Sequence, residues 1–146
     1  MYLSRLLLAI FFAGLLGTVT ELFFLEHYED AWQYTPLVLV GLGLVVGAWY
    51  AGRPTPASLR AFQTVLLLFI ATGLLGLYLH YRANVEFEIE RDSTLTGPRL
   101  FWESLGGALP ALAPGTMIFL AVIGYAVIVA RQTPLASQRS GSTLQP

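Results

Sequence analysis

The stretch AFQTVLLLFIATGLLGLYL, residues 61–79, decides the fold, because none of its nineteen positions carries a charged side chain. At the helical rise such a run is about 28 Å long, close to the roughly 30 Å thickness of a bilayer's hydrocarbon core. Three further windows lack charge in the same way: Leu6 to Thr20, Ala31 to Gly52 and Ser104 to Ala130. A chain of 146 residues could bury one such helix in water; it could not bury four. Composition agrees. Charged residues make up 12% of the chain, about half the usual share of a soluble domain, and hydrophobic residues 55%. Mean hydropathy is +0.65.

The reading is an all-α integral membrane protein, a four-helix transmembrane bundle with helices over about 4–28, 34–51, 58–82 and 108–131. The start of the last helix falls between Ala108 and Gly115, where Pro110 and Pro114 make the approach irregular. The first apolar run, preceded by Arg5, resembles a secretion signal in outline. It continues past the usual length into Glu21 and Phe23-Phe24-Leu25, with no small-residue cleavage site, so an uncleaved anchor is expected. Gly52-Arg53-Pro54-Thr55-Pro56 ends the second helix, and Ser58 is read as the N-cap of the third. Residues 132–146 are rich in Ser, Thr, Gln and Pro and are expected to form a disordered cytoplasmic tail.

Arginines set the orientation. Arg5, Arg53, Arg60, Arg131 and Arg139 fall on one side, and Arg82, Arg91 and Arg99 on the other. Positive charge flanking short loops is retained in the cytoplasm, which places both termini inside and the protein in a plasma (inner) membrane. Aromatic residues support this reading, with Tyr28, Trp32, Tyr34, Tyr81 and Trp102 at one interface and Trp49 and Tyr50 at the other.

Between the third and fourth helices lies an outer loop, 83–107. Val85-Glu86-Phe87-Glu88-Ile89-Glu90 alternates with period two, the pattern of a half-buried strand, so a short extended segment, a β-strand where it finds a partner, is expected. Ser93-Thr94-Leu95-Thr96, or another chain, would supply its pairing strand. Pro98 to Leu105 follows as a short interfacial helix, with Leu100, Phe101, Trp102 and Leu105 on its apolar side. Glycines recur on helix faces, among them Gly14, Gly17, Gly73 and Gly76, and in a bilayer small residues let helices pack closely. Ala13-Gly14-Leu15-Leu16-Gly17 and Thr72-Gly73-Leu74-Leu75-Gly76 match closely, either as a relic of a two-helix duplication or by composition.

Glu21 is the most unusual residue. It lies about a turn inside a helix end, where a carboxylate costs on the order of 1–3 kcal/mol unless solvated, paired or protonated. Counted from Arg5 and Arg60, Glu21 and His80 reach depths within roughly 6 Å of each other. They are the candidate proton-responsive pair, since a carboxylate raises a nearby imidazole pKa. The alternative is that Glu21 snorkels to water and His80 is an interfacial aromatic. Glu26, His27, Glu29 and Asp30, with Glu86, Glu88 and Glu90, form a candidate outer polar cluster. Two histidines in unsuitable spacing do not make a metal site, and no metal or haem is expected. Cysteine is absent, which excludes disulfides and thiolate chemistry.

No nucleophile motif, phosphate loop or dinucleotide fingerprint occurs, so an enzyme is not expected. Nor is a cofactor, and a net charge of −1 without a basic patch argues against nucleic acid. The expected partners are the lipid bilayer and either another membrane protein or a second copy of the chain. An accessory or assembly subunit of a membrane complex is the leading reading. A homo-oligomeric channel or proton-coupled carrier using Glu21 and His80 is the alternative. A sensor ranks last, for want of an output domain.

Overall fold

A computed structural model describes residues 2–29 and 32–142, with side chains as far as residue 132. Every regular element among them is helical: α1 Tyr2–Phe24, α2 Tyr34–Gly52, α3 Pro56–Arg91, α4 Gly97–Leu105 and α5 Gly115–Ser142. Four of these are long and apolar enough to cross a membrane, and between 11% and 33% of their apolar windows is buried within the chain. Most of that apolar surface therefore needs a non-aqueous neighbour, because soluble monomers rarely expose contiguous patches beyond a few hundred Å². The chain is built as a membrane protein.

Each helix end has a local cause. Beyond α1, Glu26 adopts a left-handed conformation with φ of 51°. The His27 amide donates to Leu22 O at 2.9 Å and the Glu26 amide to Phe23 O at 3.1 Å. Together these form a Schellman motif, which satisfies orphan carbonyls and stops the helix. The expected end near residue 28 is thus corrected to Phe24. At the start of α3 the cap is Thr55, not Ser58. Thr55 Oγ1 accepts from the Ser58 amide at 3.2 Å, and Ser58 Oγ accepts in return from the Thr55 amide at 2.9 Å. This reciprocal box has Pro56 at the first helical position, where its missing N–H costs nothing. Ser58 Oγ also donates to Arg53 O at 2.7 Å, which leaves this fully buried hydroxyl satisfied.

The larger correction concerns residues 85–90, which are helical, as is all of α3 to Arg91. Two ion pairs at helical spacing act there: Arg82 with Glu86 at 2.8 Å, and Arg91 with Glu88. Asn84 and Glu88 are buried while Glu86, midway between them, is exposed, so the side that packs inward has helical rather than strand periodicity. Asp92 then ends the helix in an Asx turn, its Oδ1 accepting from the Thr94 amide at 2.9 Å and the Thr94 hydroxyl at 2.6 Å. Residues 93–96 accordingly supply a turn instead of a second strand. The last long helix begins at Gly115 after a series of i→i+3 turns from Pro110. Its backbone is helical to Ser142, inside the stretch expected to be disordered.

Contacts divide the chain into two compact units, one of Met1–Leu68 with Leu120–Pro146, the other of Phe69–Phe119. In the first, α1, α2, the start of α3 and α5 all pack on one another. Phe62 sits at the centre, fully buried. Its ring meets Phe11 edge-on at 5.4 Å and stacks on Tyr50 at 5.2 Å, arrangements that add about 0.5–1.5 kcal/mol beyond area burial. Gly47 abuts Phe11, Gly14 abuts Leu120, and Gly124 leaves room for Leu66 alone. Arg131 closes one end: its guanidinium donates to Tyr50 O at 3.0 Å and Ala51 O at 3.3 Å and lies 5.0 Å from the Tyr50 ring centre. A cation on the last carbonyls of α2 and over an aromatic face is worth on the order of 0.5–1 kcal/mol from each effect.

In the second unit, α3 from Phe69, α4 and the first residues of α5 pack around a short connection. Gly73 is the tightest approach: a methyl placed there would lie 2.7 Å from Ile118 Cγ1 and 3.1 Å from the Pro114 carbonyl oxygen. One turn on, Gly76 faces the Pro114 ring in the same way.

Candidate functional site

The most elaborate polar arrangement belongs to the second unit and follows one side of α3. Extending the Gly73–Gly76 side along the helix brings in His80, Asn84 and Glu88, each four residues beyond the last. Asn84 is 1% exposed and spends both amide N–H donors and its carbonyl oxygen on the end of α4 and the chain that follows it. Its Nδ2 donates to Ser104 O at 2.9 Å and to Leu109 O at 2.7 Å, and its Oδ1 accepts from the Leu109 amide at 2.9 Å. The Ser104 carbonyl is one of the orphan acceptors at the end of α4, so Asn84 works as a long-range C-cap. Gly107 allows this, since a methyl at that position would lie 2.6 Å from Asn84 Cγ. One turn earlier, His80 Nδ1 lies 3.3 Å from Pro110 O, a hydrogen bond when that nitrogen carries the proton.

One turn beyond Asn84, Glu88 is 4% exposed and pairs with the better-exposed Arg91. Ser104 is fully buried, and among the described residues its Oγ is the one buried side-chain atom with no hydrogen-bond partner. The arrangement as a whole grips main chain. Its polar groups hold a backbone segment of about seven residues against α3, leaving that segment's apolar side chains facing outward.

The residues singled out in the sequence are distributed over both units. Glu21 lies exposed on α1 in the first, and half-exposed His80 on α3 in the second. Glu26 and Glu29 are exposed and His27 is partly covered, all just beyond α1, while Asp30 lies outside the described residues. In the second unit, Glu86 and Glu90 are exposed and Glu88 is buried. Among the described residues, no three His, Asp or Glu side chains are grouped to hold a metal ion. Asp92, exposed in its Asx turn, has its pKa lowered from the usual carboxylate value, first by the Thr94 hydroxyl and then by the Thr94 amide.

Asn84 and Ser104 are not among the residues singled out from the sequence, and Glu88, expected in an outer polar cluster, is buried. A signal existed. Continuing the i, i+4 register from His80 selects Asn84 and then Glu88, a polar line beginning where the apolar run ends. The chain matches no protein-family model, no curated protein and no solved structure.

Proposed function

We propose that the chain is a non-enzymatic accessory or assembly subunit of a membrane complex, and that α1 carries the face that meets the partner. The supporting observation is the burial of α1, 11% of its apolar window, against 28%, 28% and 33% for the other three candidate spans. Its inward side is the narrow line Phe11, Leu15 and Thr18. Ala9, Ala13, Gly17 and Glu21, each four residues from the last, are all exposed. Among the described residues, and apart from α1's own backbone, no atom lies within 4 Å of a methyl placed on Gly17. Small residues let a second helix approach closely, and a carboxylate near a span's end gains from a partnering donor. Both termini are assigned to the cytoplasm and the bundle to an inner membrane, on the arginine distribution and the interfacial aromatics.

Purification of the tagged chain in mild detergent tests this. A distinct membrane protein should accompany it and be lost from Gly17→Leu, whose side chain blocks close approach, while Gly41→Leu on α2 retains it. Retention of the partner by both variants, or its absence from the unmodified chain, removes the reading. The second reading, a homo-oligomeric channel or carrier, draws on the exposure of Glu21, which a neighbouring copy would cover. A stable homo-oligomer whose proton flux in liposomes disappears in Glu21→Gln would favour it over the first.

A further inference from the structure

Helix α4 has three sides. Leu100 and Ser104 turn toward the chain, with Ser104 fully buried. Arg99 and Glu103, both exposed, lie on a second side. The third carries Phe101 and Trp102, 44% and 68% exposed, with Leu105 between them on the helical wheel. The connection beyond α4 adds Leu109 and Leu112, 43% and 71% exposed. An aromatic side next to a fully buried one, on a helix of nine residues, leaves substantial apolar area uncovered by the chain.

What covers it follows from α3. At 36 residues that helix is about 54 Å long, well beyond the roughly 30 Å of a hydrocarbon core. Its exposed residues change character over a single turn. Leu74, Leu75, Tyr78 and Leu79 are exposed and apolar, whereas Arg82 and Glu86 form an exposed ion pair. The border between lipid and water therefore falls at about Tyr81. Tyr81 is in ring contact with Phe101 at 5.8 Å, and Phe101 meets Trp102 edge-on at 5.2 Å. The aromatic side of α4 thus continues the lipid-facing belt of α3 at the depth where aromatic rings favour the headgroup zone. Phe87 and Ile89, exposed farther along α3, alternate with glutamates and form no continuous face.

We infer that α4 is a membrane-surface anchor: it lies in the headgroup zone of the leaflet crossed by the end of α3, with Phe101 and Trp102 among the upper acyl chains. The Arg99 edge faces phosphates and water. The occupant of the surface is lipid, not protein. Asn84 supports this role by fixing the backbone that follows α4, so that the aromatic side is held at one depth. The inference rests on the chain being embedded in a bilayer, and is independent of any partner on α1.

The test uses the full chain with Trp32→Phe and Trp49→Phe, both at exposed positions, which leaves Trp102 as the sole tryptophan. It is reconstituted in phosphatidylcholine vesicles brominated either near the carbonyl end or near the methyl end of the acyl chains. Trp102 should lose most of its emission to the shallow bromines, less to the deep ones and little to aqueous iodide. Strong quenching by iodide without loss to bromine overturns the inference by placing α4 in water. Protection from all three quenchers overturns it in favour of a protein neighbour. Vesicle flotation reads the embedding separately, and a chain that fails to float overturns both. Leu112→Cys, in a chain without native cysteine, gives a second readout that keeps every tryptophan. A nitroxide there should be more accessible to oxygen than to a water-soluble nickel complex, and the opposite order refutes the assignment.

Discussion

Replacing Asn84 with alanine is expected to release the chain between α4 and α5 while leaving the long helices intact. Three hydrogen bonds are lost, at 2.9, 2.7 and 2.9 Å, and the Ser104 and Leu109 carbonyls lose their donor together. Each bond is worth about 0.5–1.5 kcal/mol net, and a stranded buried group costs more, giving a total of about 2–4 kcal/mol. The lower end is favoured because Leu109 is 43% exposed, so water can reach its backbone once the latch opens. Hydrogen exchange in detergent reads this at the Leu109 amide. Since about 1.4 kcal/mol is a factor of ten, that amide should exchange about 30- to 100-fold faster, with helix-centre amides of α3 unchanged. Asn84→Asp is the sharper variant. It keeps the acceptor for the Leu109 amide but turns a carboxylate toward two carbonyls that need a donor, so at neutral pH it should be worse than alanine. It should recover partly in acid, where the protonated group regains one O–H. If alanine leaves Leu109 as protected as in the parent chain, or aspartate is tolerated at neutral pH, the latch is not what holds this segment.

Four further outcomes follow from local geometry. Gly73→Ala places a methyl 3.1 Å from a backbone oxygen that cannot swing aside, so overpacking of about 1–3 kcal/mol should exceed the helix-propensity gain of about 0.5–1. Gly41→Ala meets nothing within 4 Å and should be neutral or slightly stabilising, both read as thermal midpoints in one detergent. Glu26→Gly should stabilise by about 0.5–1 kcal/mol, because glycine takes the observed φ of 51° without the penalty of a β-carbon. A loss of stability would mean that the Glu26 side chain contributes more than its backbone strain costs. Asp92 should titrate below the usual carboxylate range by NMR, and Thr94→Ala should move it back toward that range. Because the folded-state pKa is the lower one, the turn's contribution is present above roughly pH 4 and is lost as pH falls through the folded value.

The membrane character of the fold was legible because solvation by lipid is a sum over composition. Four charge-free windows report it regardless of detail, and α2 ended within a residue of its expected end because Gly52 and Pro54 act locally. The start of α2 at Tyr34 and the bounds of α4 also lie within a residue of expectation, whereas the ends of α1 and α3 depended on choices that composition does not record. Glu26 has no preference for the left-handed region, yet it takes the position that ends α1. The alternation from Val85 to Glu90 misled because a window of six is too short to separate period two from period 3.6: Val85 and Ile89 are also four apart. What decides between them is Asn84, whose partners lie 20 and 25 residues farther along the chain. Such a partnership leaves no trace in local pattern. The line His80, Asn84, Glu88 suits either period, and it is the exposure of Glu86 between two buried positions that separates them.

The same register bears on function. Along α3 the inward side passes from Phe69 through Gly73 and Gly76 to His80, Asn84 and Glu88. As lipid gives way to headgroups, apolar packing yields to glycine contacts and then to polar groups that bind main chain. Both N–H donors and the carbonyl oxygen of the Asn84 amide are used in holding the fold, as is one oxygen of Glu88. A site for turning over a substrate needs polar groups that are positioned but unspent. Here Asn84 is spent on backbone and Glu88 on the Arg91 guanidinium, Ser104 Oγ is buried without a partner among the described residues, and the exposed surfaces include the small-residue side of α1 and the aromatic side of α4. The proposed role as a subunit draws on those two surfaces, through contacts with lipid and with a neighbouring helix.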